Sequence, residues 1–162
     1  MSYVNSLNFD VNRLNELKKI KLLYFPRYDG SNKADKLFIS ILKQFDGFYV
    51  KNRFFNENVN SPIIFNQTLE TWTEFIDEET ILISLNSSAT FSPLLTSNKK
   101  NKIILLYRLN LKTENTLPTL DSQNLDIFVK SVINNYDLKI FMPISIDELI
   151  NTIMTLIWNI FY

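Results

Sequence analysis

The sequence predicts an α+β fold in which a mixed or antiparallel five-stranded sheet carries about three helices. Short apolar runs bounded by proline and polar turns read as strands, and other stretches repeat apolar residues at helical spacing. Their order is two strands, a helix, about three strands and two helices, which suits a sheet with helices packed on it. The chain has 162 residues, of which 46% are hydrophobic and 21% charged, so it falls outside the disordered class and has the size of one domain. A single domain over residues 1–162 is expected, burying roughly two thirds of the surface its unfolded chain would expose.

A short strand is expected at Tyr3–Phe9 and a stronger one in "IKLLYFP", where Pro26 cannot donate to a ladder and closes the run. The turn "RYDGS" then launches a helix with Leu37, Phe38, Ile41, Leu42 and Phe45 on one side, Ser31 or Asn32 as its cap, and Gly47 just past its end. On that wheel Ile39 lies off the apolar stripe beside Lys43, so both are expected on the outer side, available to a partner.

A strand is expected at Ile81–Leu85, with another possible around Thr71–Ile76 and a turn at Asp77-Glu78-Glu79 between them. After the polar loop "TSNKKNK", the run "IILLYRLNL" (Ile103–Leu111) reads as a strand covered on both faces. Asp121 or Ser122 caps a second helix, with Leu125, Val129, Val132, Ile133, Tyr136 and Ile140 at helical spacing. Pro143 ends that stretch, and "ISIDEL" supplies a capping box, Ser145 with Glu148, and an Ile144–Leu149 staple. From Leu149 to Tyr162 there is no charge, and the apolar sector is wider than a one-sided surface helix needs. Met154, Trp158 and Phe161 are surplus to one core and are expected at a partner contact.

Composition excludes much chemistry. The chain has no cysteine and no histidine, which removes disulfides, thiolate nucleophiles, Ser-His dyads and nearly all zinc, haem or copper sites. Seventeen basic and 17 acidic side chains cancel, so no global field draws in nucleic acid. With Gly30 and Gly47 as the only glycines, no phosphate-cradling loop of the nucleotide-binding kinds is present. The acidic group Glu70, Glu74, Asp77, Glu78 and Glu79 reads as a solvated turn, and Lys99, Lys100 and Lys102 as a solubilising loop. Ser87, Ser88 or Ser97 beside a lysine makes a poor dyad, and "YVKNRFF" reads as structural rather than as a base-stacking surface. No catalytic, cofactor-binding or metal-binding residue is expected, and the protein reads as non-enzymatic. The first residues hold no apolar run of signal-peptide length, and no stretch approaches a membrane span, so a cytoplasmic protein is expected.

The segments "YVNSLNFDVNRL", "KKIKLLYFPRYDG" and "NKADKLFISILKQFDGF", together with the order of elements, resemble the opening of the first longin domain in Ccz-type and Hermansky–Pudlak-type subunits of Rab exchange factors. "ETWTEFIDEETILISL" is similar to the Trp-containing strand of that domain, and "LDIFVKSVINNYDLKIF" with "SIDELINTIMTLIWNIF" resembles its closing helix pair. The resemblance implies a longin-like fold and a non-catalytic scaffold of membrane trafficking. It also implies pairing with another longin-type subunit, engagement of a small GTPase, and at most peripheral contact with endosomal or vacuolar membranes. A different class fits the same residues: a small bacterial or viral interaction protein, such as a toxin-neutralising immunity protein presenting the acidic face Glu70–Glu79.

Overall fold

Strand β1 (Leu22–Phe25) is buried at all four positions, which only a strand covered on both faces can be. The computed structural model describes residues 20–26, 33–51, 62–64, 76–113 and 120–161. Five further strands follow β1: β2 (Phe48–Lys51), β3 (Pro62–Ile64), β4 (Ile81–Ser84), β5 (Ile103–Leu105) and β6 (Ile140–Phe141). The helices are α1 (Lys33–Lys43), α2 (Ser92–Ser97), α3 (Tyr107–Thr113), α4 (Leu120–Tyr136) and α5 (Ile146–Phe161), and a 3-10 turn at Ser88–Phe91 leads into α2. The strands form one sheet in the order β3-β2-β1-β4-β5-β6. Every pairing is parallel, with Leu23 opposite Phe48 on one side and Leu82 on the other, and Ile83 opposite Ile104.

Alternation along the strands divides the core in two. Leu22, Tyr24, Ile81, Ile83 and Ile104 point to one face, where α1 contributes Phe38 and Ile41 and α5 contributes Leu149, Ile153 and Leu156. Leu23, Phe25, Leu82, Ile103 and Leu105 point to the other, against Phe91 and Leu94 and against Val129 and Val132 of α4. The chain steps from β1 to β2 in one direction and from β4 to β5 in the other. Right-handed crossovers therefore place α1 and α2 on opposite faces. α5 returns to the first face and covers the part of the sheet that α1 leaves open.

Three helices end in left-handed residues that are not glycine: Asp46, Asn98 and Asp137, each at φ 53°. Short polar side chains tolerate that conformation best after glycine, and this chain has few glycines. At the end of α1 the Gly47 amide bonds back to the Leu42 carbonyl at 2.9 Å and the Asp46 amide to Lys43 at 3.3 Å, a Schellman closure. A Cβ on Gly47 would come within 2.7 Å of the Leu42 oxygen, so this position requires glycine. Ser145 caps α5 as expected, its Oγ accepting the Glu148 amide at 3.1 Å, while Glu148 Oε2 reaches one residue past the cap and accepts the Ile144 amide at 2.9 Å.

The fold class departs from the sequence reading. In place of a mixed or antiparallel five-stranded sheet with about three helices, the chain builds an all-parallel six-stranded sheet with helices on both faces, a doubly wound α/β arrangement. The longin-like architecture is corrected with it. Three strands absent from the sequence reading account for the difference. β2 begins one residue before "YVKNRFF", β3 is the three residues Pro62–Ile64, and β6 is the two residues Ile140–Phe141, the first of which the helical spacing places on the preceding helix. Helices lie between β1 and β2, between β4 and β5 and between β5 and β6, and a strand that returns after a crossover helix pairs parallel.

Two further expectations change. The run Ile103–Leu111 is a strand only to Leu105; the Leu106 amide still donates to the Ser84 carbonyl, and then Asn110 bonds to Leu106 as α3 begins. α4 stops at Tyr136, where left-handed Asp137 turns the chain toward β6. The expected strand at Tyr3–Phe9 and nearly all of that at Thr71–Ile76 lie outside the described residues.

Candidate functional site

In a parallel sheet all strands finish at one edge, and where the strand order reverses, the loops from neighbouring strands diverge and leave a crevice. Here the reversal lies between β1 and β4. At that edge Tyr24 donates to the Asp35 carboxylate in the first turn of α1, a fully buried pair. β4 ends in buried Ser84, whose Oγ accepts the Ser87 amide at 3.1 Å. Ser87 Oγ in turn accepts the Ala89 amide at 3.3 Å, and Thr90 donates to the Ser87 carbonyl at 2.7 Å. Asn86 and Ser88 are exposed beside them. The result is a rigid hydroxyl-lined turn, which the sequence shows only as "LNSSAT" after an apolar run.

Next along the same edge, Tyr107 donates to Asp126 Oδ1 and lies 3.3 Å from Met142 Sδ, while Arg108 reaches the same oxygen with Nη2 at 3.0 Å and Nε at 3.3 Å. Partial burial would raise the Asp126 carboxyl, but hydrogen bonds from Tyr107 and Arg108 and the charges of Arg108 and Lys130 outweigh it and hold it below the usual value. Burial first, and then the bond to Asp126, push the Tyr107 hydroxyl up to about 12. The cluster ties α3 to α4 and to the residue that follows β6.

The charged constellations of the sequence meet at the opposite edge. Asp77, Glu78 and Glu79 precede β4, and Lys99, Lys100 and Lys102 precede β5. Lys102 pairs with Glu79 at 3.3 Å, the Lys100 amide donates to Glu78 Oε1 at 2.9 Å, and Lys99 Nζ reaches the Ile76 carbonyl at 2.7 Å. Buried Asn101 donates to the carbonyls of Asp77, Glu78 and Thr80 at 2.8, 3.0 and 2.9 Å. Each group thus supplies partners to the other, and neither forms a site. Ser87 and Ser88 lie at the far edge from Lys102, so they make no dyad with it. Glu70 and Glu74 lie outside the described residues, and among those described no group of three or more ligating side chains is placed to hold a metal ion.

The structure separates the five residues expected at a partner contact. Ile39 is only 5% exposed and belongs to the core between α1 and the sheet, a correction of its expected outward position. Its neighbour Lys43 is exposed. On α5, Met154 and Trp158, one turn apart, are 55% and 63% exposed, while Leu149, Ile153 and Leu156 are buried on the opposite side. The side chain of Phe161 lies outside the described residues. Beside the stripe, a shallow groove of about 400 Å³ is lined by Phe141, Glu148, Asn151, Thr152, Thr155 and Leu156, and the Glu148 carboxylate there is engaged in capping the helix. No helix among the described residues is long and apolar enough to cross a membrane.

No family model matches the chain, and no curated protein and no solved structure matches it either. The functional reading therefore rests on the geometry alone.

Proposed function

We propose that this chain is a non-catalytic protein-interaction domain whose contact surface is the outer stripe of α5. The observation that carries the reading is the pair Met154 and Trp158, one helical turn apart and 55% and 63% exposed, on a helix with no charge after Glu148. Large apolar side chains in line on a soluble surface favour being covered, and an exposed Trp beside a Met is typical of the residues that dominate protein contacts. The trafficking and small-GTPase expectation rests on the resemblance of sequence segments alone. The interaction reading does not depend on it. The proposal takes the chain to act in the cytoplasm.

The test compares wild type with Trp158→Arg in affinity purification from native cells, followed by binding measurements with the purified partner. The expected result is at least a ten-fold weaker complex with an unchanged circular dichroism spectrum. A folded variant that keeps every partner at full affinity overturns the reading.

A second reading is favoured by the strand order, since open α/β sheets bind ligands outside the carboxyl ends of the strands where the order reverses. The hydroxyl-lined turn at Ser84–Thr90 would then contact a small polar ligand. Titration with nucleoside phosphates and nicotinamide dinucleotides, read by thermal shift in wild type and in Ser88→Ala, tests it. A flat response to the whole panel removes it.

A further inference from the structure

We infer that Met142 is a redox-sensitive joint: a peroxide converts its thioether to the sulfoxide, whose oxygen draws the Tyr107 hydroxyl away from Asp126 and loosens α4 from α3.

Met142 follows β6 directly and stands at a boundary. Its side chain is half-buried and packs, like Leu125 and Ile133 of α4, against the core on that face of the sheet. Its sulfur lies 3.3 Å from the Tyr107 hydroxyl, where that core meets the Tyr107–Arg108–Asp126 cluster. Of the other two methionines, Met1 lies outside the described residues, and Met154 is exposed on α5, which covers the opposite face.

Tyr107 has one hydroxyl proton to give. With a thioether beside it, that proton goes to Asp126, because the sulfur is a weak acceptor. Oxidation changes the competition. The sulfur lone pair attacks hydrogen peroxide, an S–O bond forms as the O–O bond breaks, sulfur gives up two electrons, and the peroxide is reduced to water. The new oxygen is a polar acceptor set against partly buried apolar side chains, where leaving it unpaired costs free energy, and the Tyr107 hydroxyl is a donor already in place. Asp126 keeps Arg108, whose Nη2 stands 3.0 Å from the same carboxylate oxygen, so it can release the tyrosine without being left alone. Partial burial raises the Asp126 carboxyl, and the bond from Tyr107 is foremost among the interactions that hold it below its usual value. Without that bond the carboxyl rises, and the stability lost on acidification becomes smaller. The step is reversible, since methionine sulfoxide is reduced by dedicated reductases.

The test uses the full chain carrying Met154→Leu, which takes the exposed sulfur out of the comparison, with and without Met142→Leu. Both proteins are treated with hydrogen peroxide, the modified residues are read by peptide mass spectrometry, and melting temperature is followed against pH. The expected result is one added oxygen on Met142, a melting temperature lower by about 2–4 °C near neutral pH, and a flatter acid limb. Methionine sulfoxide reductase restores both, and the protein with Met142→Leu shows neither change. Tyr107→Phe in the Met154→Leu chain has no proton to transfer, so its acid limb stays put on oxidation; this comparison serves should Met142→Leu misfold. The inference is overturned if Met142 stays unmodified where free methionine in the same solution is fully oxidised, or if the oxidised protein keeps its melting temperature. It is overturned equally by a melting temperature that falls while the acid limb stays as steep as before, or by an acid limb that flattens as much in Tyr107→Phe.

Discussion

Asn101 sits with its side-chain nitrogen 2.9 Å from the carbonyl oxygen of Thr80, the residue just before β4, although the two lie 21 positions apart. The same nitrogen reaches the carbonyls of Asp77 and Glu78, so one amide organises the whole turn into the strand. Thr80 completes the joint by donating to the Ile20 carbonyl at 2.8 Å, which fixes the start of β4 against the residues before β1.

Replacing Asn101 by Ala leaves the buried Thr80 carbonyl short of its donor and frees the turn. The expected loss is about 2 kcal/mol in denaturant-induced unfolding. Asn101→Asp sets a carboxylate against three carbonyl oxygens and is expected to cost more. Equal stability of all three proteins would show that the latch contributes nothing.

The Tyr107–Arg108–Asp126 cluster gives stability a pH dependence at both ends. The Asp126 carboxyl is held low in the folded protein, so its contribution is complete above the usual carboxylate range and is lost as pH falls through its depressed value. Tyr107 is raised, so its contribution is complete below its ordinary value of 10.0 and is lost as pH rises from there to about 12. Melting temperature followed against pH in wild type, Asp126→Asn and Tyr107→Phe checks both limbs. The first variant should flatten the acid limb and the second the alkaline limb.

Ile39 reverses the expectation that set it beside Met154 as a contact candidate, whereas Met154 is exposed as expected. Ile39→Ala empties part of the core and is expected to cost about 2–5 kcal/mol. Met154→Ala removes an exposed side chain and should stay within about 0.5 kcal/mol. Ile153→Ala, one position away on the same helix, should behave like Ile39→Ala, because Ile153 is fully buried. Chemical denaturation of the three variants decides whether the buried and exposed sides of α5 are as described.

Asp137 ends α4 at φ 53°, a conformation that glycine adopts without a steric penalty. Asp137→Gly should raise stability by up to about 1 kcal/mol, and Asp137→Val should lower it, since a branched side chain crowds the backbone there. Thermal unfolding of the pair tests whether the left-handed end is intrinsic to the fold.

Much of the local structure was legible in the sequence. Pro26 closing the first strand, the apolar stripe of α1 and the Ser145–Glu148 capping box depend on neighbours within a turn or two, and the residue types there state their own geometry. The candidate contact residues Met154 and Trp158 were legible for the same reason, as surplus on a wheel. β2, β3 and β6 were not, because two to four residues are too few to show a period. Ile39 misled because a wheel shows its angle on the helix but not how wide a face the sheet covers.

By itself the sequence determined the apolar strand cores, the end of α1 and the start of α5, the neutrality of the chain and the absence of cysteine and histidine chemistry. All of these are properties of composition or of short-range spacing. Only the tertiary structure decided that the strands run parallel, that Ile39 is core, and that the acidic and basic segments bind each other across the start of β4 and β5. It alone set Met154 and Trp158 on the outer side of α5, away from the sheet. Strand direction and face assignment are fixed by crossovers that bring together residues tens of positions apart, and no local pattern encodes which surfaces those crossovers cover.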